Sequence, residues 1–201
     1  MNIEKTITSL EKNGYIVSFF HTSEEAVRYL ESSIQKKTIG FGGSRTLTDL
    51  DLHARLSKNN VVLNPDFPED GETFISTAMK SLDTEYYILS ANGLSEDGVI
   101  VNIDAAGNRL SSSLFGHKKV YYVIGTNKIT ENIEQAVWRA RNVAAPKNAL
   151  RYRLNTPCVV MENKCYDCQN ERRLCNSLLI HFKKIASCEV EIVLIDEELG
   201  F

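Results

Sequence analysis

Four cysteines lie in one short segment near the C-terminus, and their spacing is typical of metal ligands. They are separated by six, two and six residues: Cys158, Cys165, Cys168 and Cys175. The central CxxC pair can place two thiolates on one metal ion, and four thiolates suit a tetrahedral zinc site or an iron–sulfur cluster. The spacing matches neither a zinc ribbon nor the bacterial ferredoxin run, so the metal stays open. The alternative is a set of reduced thiols without metal, or a redox-labile disulfide.

A glycine-rich loop points to a second kind of chemistry, the binding of an anion. Residues 40–46 read Gly-Phe-Gly-Gly-Ser-Arg-Thr and lie between a predicted strand and a predicted helix. Gly42 and Gly43 let a ligand approach the backbone, while Ser44 and Thr46 can donate hydroxyl hydrogen bonds to a phosphate or carboxylate. In the alternative interpretation, the glycines only make a tight turn and a hydroxyl only caps the helix. The chain carries neither a P-loop nor a flavin or NAD fingerprint.

An acidic turn and several polar residues follow other predicted strands. Glu96 and Asp97 could serve proton transfer if burial raised the pKa of one of them. The alternative is that they belong to an ordinary exposed turn, in which such residues are common. Five more side chains are candidates for contact with an anionic ligand: Asn92, Asn108, Arg109, Asn127 and Lys128.

These residues must be positioned by alternating strands and helices. Apolar periodicity predicts strands over residues 15–20, 38–41, 61–63, 86–90, 99–103, 120–124 and 190–195. It predicts helices over residues 2–13, 23–35, 46–57, 72–82, 130–145 and 177–184, with an irregular stretch over 146–176. The alternation indicates an α/β fold, a three-layer αβα domain with a mainly parallel sheet, and Asp97-Gly98 indicates a hairpin. Ligands of such sheets bind at the carboxyl ends of the strands.

Length and composition exclude several classes of protein. The chain has 201 residues, of which 43% are hydrophobic and 24% charged, as in a globular protein of one domain, residues 1–201. A net charge of −3 gives no basic excess for binding nucleic acid or an anionic membrane. We expect no membrane span and no signal peptide, because no apolar run is long enough and the N-terminus lacks a basic segment. The odd number of cysteines argues against a secreted disulfide framework, so a cytoplasmic location is expected.

Several segments resemble one known family when they are taken together and in order. Residues 40–47 read Gly-Phe-Gly-Gly-Ser-Arg-Thr-Leu, and residues 91–102 read Ala-Asn-Gly-Leu-Ser-Glu-Asp-Gly-Val-Ile-Val-Asn. Shorter segments follow over 107–109, 115–120, 125–129, 139–146, 156–158, 165–168, 173–176 and 194–201. The chain resembles the LUD (lactate utilization) domain family over nearly its whole length, with the cysteines on an insertion at about 156–176.

The resemblance implies a fold and a pathway. The implied fold is that of the NagB/RpiA/CoA-transferase-like proteins, in which the glycine loop holds a phosphate or CoA-type ligand and catalytic carboxylates lie near the Glu96-Asp97 segment. The implied role is in oxidising L-lactate to pyruvate, within a system that also contains iron–sulfur subunits.

Two hypotheses follow for the function. The first is an accessory or electron-transfer component in the oxidation of L-lactate or a related hydroxy acid. It would bind a small anionic ligand, hold an iron–sulfur cluster or zinc on its cysteines, and act with iron–sulfur or oxidoreductase subunits. The alternative is an isomerase-like enzyme or a protein that binds a sugar phosphate or a CoA-type ligand, with a structural zinc. A homo-oligomer is compatible with either hypothesis, and whether the chain is an enzyme stays open.

Overall fold

The computed structural model describes residues 1–162 and 164–201. Residue 163, inside the predicted insertion 156–176, lies outside the described residues. The strands are β1 (Ile16–Phe20), β2 (Thr38–Phe41), β3 (Val61–Leu63), β4 (Tyr86–Leu89), β5 (Gly93–Ser95), β6 (Ile100–Asp104), β7 (Lys119–Gly125), β8 (Ile129–Thr130), β9 (Ser177–His181) and β10 (Glu189–Ile195). The helices are α1 (Ile3–Lys12), α2 (Ser23–Ser33), α3 (Arg45–Asp49), α4 (Leu52–Ser57), α5 (Phe74–Ser81), α6 (Asn108–Leu114), α7 (Ile133–Arg139), α8 (Ala145–Arg151) and α9 (Pro157–Val160).

The main sheet has six strands in the order β1-β10-β7-β4-β2-β3, and every neighbouring pair is parallel. Alternate side chains of one strand enter opposite faces, as the two-residue period of a strand requires. Tyr121 and Val123 of β7 pack on one face, under α2, α3 and α4. Tyr122 and Ile124 pack on the other face, under α1 and part of a smaller sheet. The structure therefore confirms the predicted three-layer α/β class.

A second sheet, which the periodicity did not predict, covers part of that other face. Its order is β8-β5-β6-β9, and its far side packs against Ala136 of α7 and Ala140, the residue that follows α7. The predicted hairpin at Asp97-Gly98 is confirmed, since β5 and β6 pair antiparallel. The prediction of a helix over residues 177–184 is wrong, because residues 177–181 form β9, which pairs antiparallel with β6. The three consecutive apolar residues 178–180 are compatible with the period of a helix and with that of a strand. They form a strand because β6 has an open edge with which they can pair.

Helix boundaries also differ from the prediction at two places. The helix predicted over 46–57 is two short helices, because Asp51 adopts a left-handed backbone with φ of 50°. The helix predicted to stop before Pro146 continues instead through a π-helical turn, Ala140–Ala144, into α8. Pro146 has no N–H to donate, and it is the second residue after this π-helical turn, which interrupts the regular α-helical hydrogen bonding. Within the described residues, no helix is long and apolar enough to cross a membrane.

Candidate functional site

A cavity of about 530 Å³ opens at the carboxyl ends of β2, β4 and β7, three neighbouring strands of the main sheet. The chain that leaves each strand lines it, and the far wall comes from β6, α6, α8 and the cysteine-bearing segment. Its volume is in the range of cavities that hold ligands of the size of a metabolite or a cofactor fragment. Seven of the predicted ligand-binding residues line this cavity: Gly43, Ser44, Thr46, Asn92, Asn108, Arg109 and Lys128.

The glycine loop lets α6 approach the main sheet closely at the cavity wall. A Cβ on Gly42 would stand 3.0 Å from both Leu89 Cβ and Arg109 Cγ. Ser44 Oγ accepts a hydrogen bond from the backbone N–H of Leu47 at 3.5 Å, so this side chain caps α3. The capping interpretation of Ser44 therefore describes this structure, while the same residue also lines the cavity.

Lys128 is the most unusual residue of the wall. Its side chain is fully buried, and Nζ donates hydrogen bonds of 2.7 Å to Thr46 Oγ1 and to Ser90 Oγ. Burial, reinforced by the positive charges of Arg139 and Arg109, lowers the pKa of this lysine to about 7. An amine with such a pKa is largely uncharged just above neutral pH, so it can act as a base or a nucleophile.

The buried Asp104 and the partly buried Arg109 form an ion pair at the cavity wall. Arg109 Nη2 lies 3.4 Å from Asp104 Oδ1, and this guanidinium also donates to the backbone carbonyl of Ile103. Asp104 accepts hydrogen bonds from the backbone N–H groups of Ala105 at 2.9 Å and Arg109 at 3.0 Å. The aspartate thus holds the first turn of α6 and fixes the arginine beside the glycine loop.

Cationic side chains outnumber carboxylates around the cavity. The lining side chains that stay positively charged are Arg45, Arg109, Arg151, Arg172 and Arg173, besides the buried amine of Lys128. The lining carboxylate side chains within the described residues are Asp66 and Asp104. Some of the arginines have acidic partners of their own, such as Asp49 at 2.5 Å from Arg45 and the exposed Asp167 at 3.4 Å from Arg173. A surplus of positive charge remains and favours an anionic ligand.

Sequence reasoning missed part of this wall. Arg151 comes from α8, which the prediction replaced by an irregular stretch. Arg172 and Arg173, which lie between the third and fourth clustered cysteines, also line the cavity. The cluster of arginines beside the cysteines indicated a positively charged segment. Only the fold shows that this segment lies against the cavity.

Four predicted site residues lie elsewhere. Glu96 accepts a 2.7 Å hydrogen bond from the backbone N–H of Asn2, at the start of α1, and lies 3.6 Å from the Lys5 amine. Asp97 is 58% exposed and pairs with the same lysine at 3.1 Å. Asn127 holds the backbone of Leu199, and Gly42 lines a smaller neighbouring pocket of about 200 Å³. The structure therefore does not bring Glu96 and Asp97 to the cavity. The carboxylate nearest to the role predicted for them is that of Asp104, which lines the cavity.

The cysteines are half-exposed and carry no disulfide. Cys165 Sγ accepts a hydrogen bond from the backbone N–H of Asp167 at 3.4 Å, and Arg141 Nη2 lies 3.8 Å from the same sulfur. Cys158 Sγ lies 3.2 Å from Thr156 Oγ1, and burial raises the pKa of the Cys175 thiol.

These thiols do not fit a preformed metal site. Within residues 1–162 and 164–201, no three His, Cys, Asp or Glu side chains are grouped so as to hold a metal ion. The four-cysteine metal site therefore stays a prediction.

Comparison with known proteins identifies the class. The model of the LUD domain family matches residues 3–195, nearly the whole chain. The fold is similar to that of a DUF162 family protein from Deinococcus radiodurans, with a TM-score of 0.55 and 10% sequence identity over 96% of this chain and 95% of that one. No curated protein matches.

The chain belongs to the LUD domain family, which relates it to lactate utilization at the level of the family.

Proposed function

We propose that this protein binds a small carboxylate or phosphate ligand in the cavity and serves as an accessory component in the oxidation of L-lactate or a related hydroxy acid. Iron–sulfur or oxidoreductase subunits would carry the electrons, since the sequence has no flavin or NAD fingerprint. The observation that carries the proposal is the surplus of arginine over carboxylate side chains around one cavity at the carboxyl ends of the strands.

The cavity also supports the second candidate, a protein that binds a sugar phosphate or a CoA-type ligand. A volume of about 530 Å³ exceeds what a three-carbon hydroxy acid needs, and the arginines are spread over α3, α6, α8 and the cysteine-bearing segment. A ligand with a second anionic group could contact several of them together. Both candidates need an anion at the glycine loop, and they differ in the rest of the ligand.

Thermal unfolding with a ligand panel separates the two candidates. A ligand at about one hundred times its dissociation constant stabilises the folded protein by about 2.7 kcal/mol. For a chain of this length that raises the melting temperature by roughly 5–10 °C. We expect such a shift with L-lactate or pyruvate. A shift with ribose 5-phosphate or coenzyme A alone would favour the second candidate, and no shift with any of these anions would contradict both.

The variant Ser44→Glu tests whether the glycine loop is part of the binding site. The added carboxylate stands at the cavity wall and repels an anion, so the ligand-induced shift should be abolished. Ser57→Glu adds the same charge on an exposed residue at the end of α4 and should keep the shift. Equal shifts in the two variants would remove the glycine loop from the site.

Metal analysis tests the cysteine prediction separately. Protein purified without oxygen should contain zinc, or iron with acid-labile sulfide and a broad visible absorption band. The double variant Cys165→Ser/Cys168→Ser should lose the metal, whereas Cys188→Ser, which changes a buried cysteine outside the segment, should retain it. Wild-type protein free of both metals would show that the thiols have another role.

A further inference from the structure

Lys128 presents a buried amine to a cavity without a carboxylate partner. Its Nζ is held by two hydroxyl groups, those of Thr46 and Ser90, each at 2.7 Å. Within the described part of the chain it forms no ion pair, and Asp49, whose charge raises its pKa, lies beyond ion-pair distance. A buried lysine without an anionic partner is costly unless it is uncharged.

The hydrogen bonds are those that an uncharged amine can make. Thr46 Oγ1 lies 3.4 Å from the carbonyl oxygen of Leu199, which can accept its hydrogen, and Ser90 Oγ lies 3.3 Å from Thr46 Oγ1. Each hydroxyl can therefore accept from Nζ while it donates onward. A neutral amine uses both of its hydrogens in these bonds and keeps its lone pair. That lone pair is available to a ligand that enters the cavity.

The surroundings make the amine a nucleophile. Burial and the neighbouring arginines Arg139 and Arg109 disfavour the ammonium form, so a reactive fraction exists near neutral pH. Desolvation and a nearby cation are the two means by which proteins activate lysine toward carbonyl groups. Arg109, which lines the cavity, would also attract a ligand that carries a carboxylate.

We propose that Lys128 binds 2-oxo acids covalently, through an imine between Nζ and the carbonyl carbon of the ligand. The inference rests on the proposed function, because oxidation of a 2-hydroxy acid yields a 2-oxo acid. Pyruvate is the member of this class that L-lactate yields. Arg109, which lines the same cavity, supplies a guanidinium for the carboxylate of the ligand.

The step needs no oxidant or further reactant. The lone pair of Nζ forms the C–N bond, and the carbonyl π bond breaks as its oxygen takes a proton, which gives a carbinolamine. The C–O bond then breaks, the oxygen leaves as water after a second protonation, and nitrogen loses its remaining hydrogen. The hydroxyls of Ser90 and Thr46 touch Nζ and can pass these protons between nitrogen and oxygen.

Reduction with sodium borohydride tests the proposal on the full-length protein. The reagent reduces an imine to a stable secondary amine, so incubation with pyruvate should increase the intact mass by that of pyruvic acid less one oxygen atom. Peptide mapping should place the addition on Lys128. L-lactate has no carbonyl carbon of the same kind and should leave the mass unchanged.

Two lysine variants serve as a matched pair. Lys128→Met removes the amine and should give no adduct. Lys147→Met removes an exposed lysine of α8, the helix that lines the cavity, and should react like the wild type. If Lys128→Met fails to fold, the peptide map of the wild type decides alone. Addition at other lysines or at the N-terminal amine, with none at Lys128, would overturn the proposal.

Thermal shifts measured on the same samples separate this inference from the proposed function. Stabilisation by lactate and pyruvate without any adduct would overturn the imine and leave the anion site intact. Neither stabilisation nor adduct would contradict the proposed function as well. Stabilisation together with an adduct on Lys128 supports both.

Discussion

The variant Lys128→Met is expected to remove a rise in stability with pH that the wild type shows above neutral pH. Burial lowers the pKa of Lys128 to about 7, whereas an unfolded chain gives lysine its ordinary value of 10.5. Between these two values the unfolded state holds one proton more than the folded state. The free energy of unfolding therefore increases with pH in this window, by at most about 1.4 kcal/mol per pH unit from this group.

The measurement is urea unfolding of both proteins at several pH values between about 7 and 10. Other groups titrate in the same range, so the informative quantity is the difference in slope between wild type and variant. Below neutral pH the amine is charged in both states, and the difference should vanish. Lys147→Met should follow the wild type throughout. Parallel curves for wild type and Lys128→Met would show that the amine is charged in the folded protein.

The class of fold was predictable because both faces of a parallel sheet demand apolar residues at fixed periods. Strands β2, β4 and β7 and helix α2 follow the predicted ranges closely, and their ends place Ser44, Asn92 and Lys128 at one edge. The rule that ligands bind at the carboxyl ends of strands then places the cavity. Local patterns are sufficient where each element buries its own apolar face.

The second sheet was not predictable in full because its pairing is decided by distant partners. Residues 177–181 form a strand only because they can pair with the free edge of β6. Helix α6 begins at Asn108, directly after Gly107, and contains three serines, which are weak helix formers, so the sequence gives little sign of it. It is held by Asp104, whose carboxylate accepts the N–H of Arg109.

The position of the two carboxylates chosen from the sequence was also not predictable, because distant partners decide it. Glu96 and Asp97 follow a strand and precede a glycine, and β5 carries them to the start of α1. Asp104 reads as a turn residue in the sequence, but it lies buried beside the cavity. Which acid reaches the ligand depends on the orientation of the small sheet, which the sequence pattern does not encode locally.

Gly93→Ala is expected to give a large loss of stability, because this glycine lets α7 touch the second sheet. A Cβ at this position would stand 2.6 Å from the carbonyl oxygen of Ala136 and 3.1 Å from its carbonyl carbon. These are backbone atoms of a helix, so the clash cannot be relieved by turning a side chain. We expect a loss of about 3 kcal/mol, at the upper end of the cost of overpacking. That corresponds to a melting temperature roughly 6–12 °C lower.

Gly71→Ala provides the comparison, since a Cβ there meets no atom within 4 Å although φ is +83°. This substitution should lower the free energy of unfolding only by the strain of an alanine in a left-handed backbone conformation, about 1 kcal/mol. Gly93→Ala should in addition weaken the ligand-induced shift, because α7 carries Arg139, which donates a 2.5 Å hydrogen bond to the carbonyl of Asn92 at the cavity wall. If Gly93→Ala loses no more stability than Gly71→Ala, then α7 can move away from the small sheet, and the wall beside Lys128 is not held by this contact.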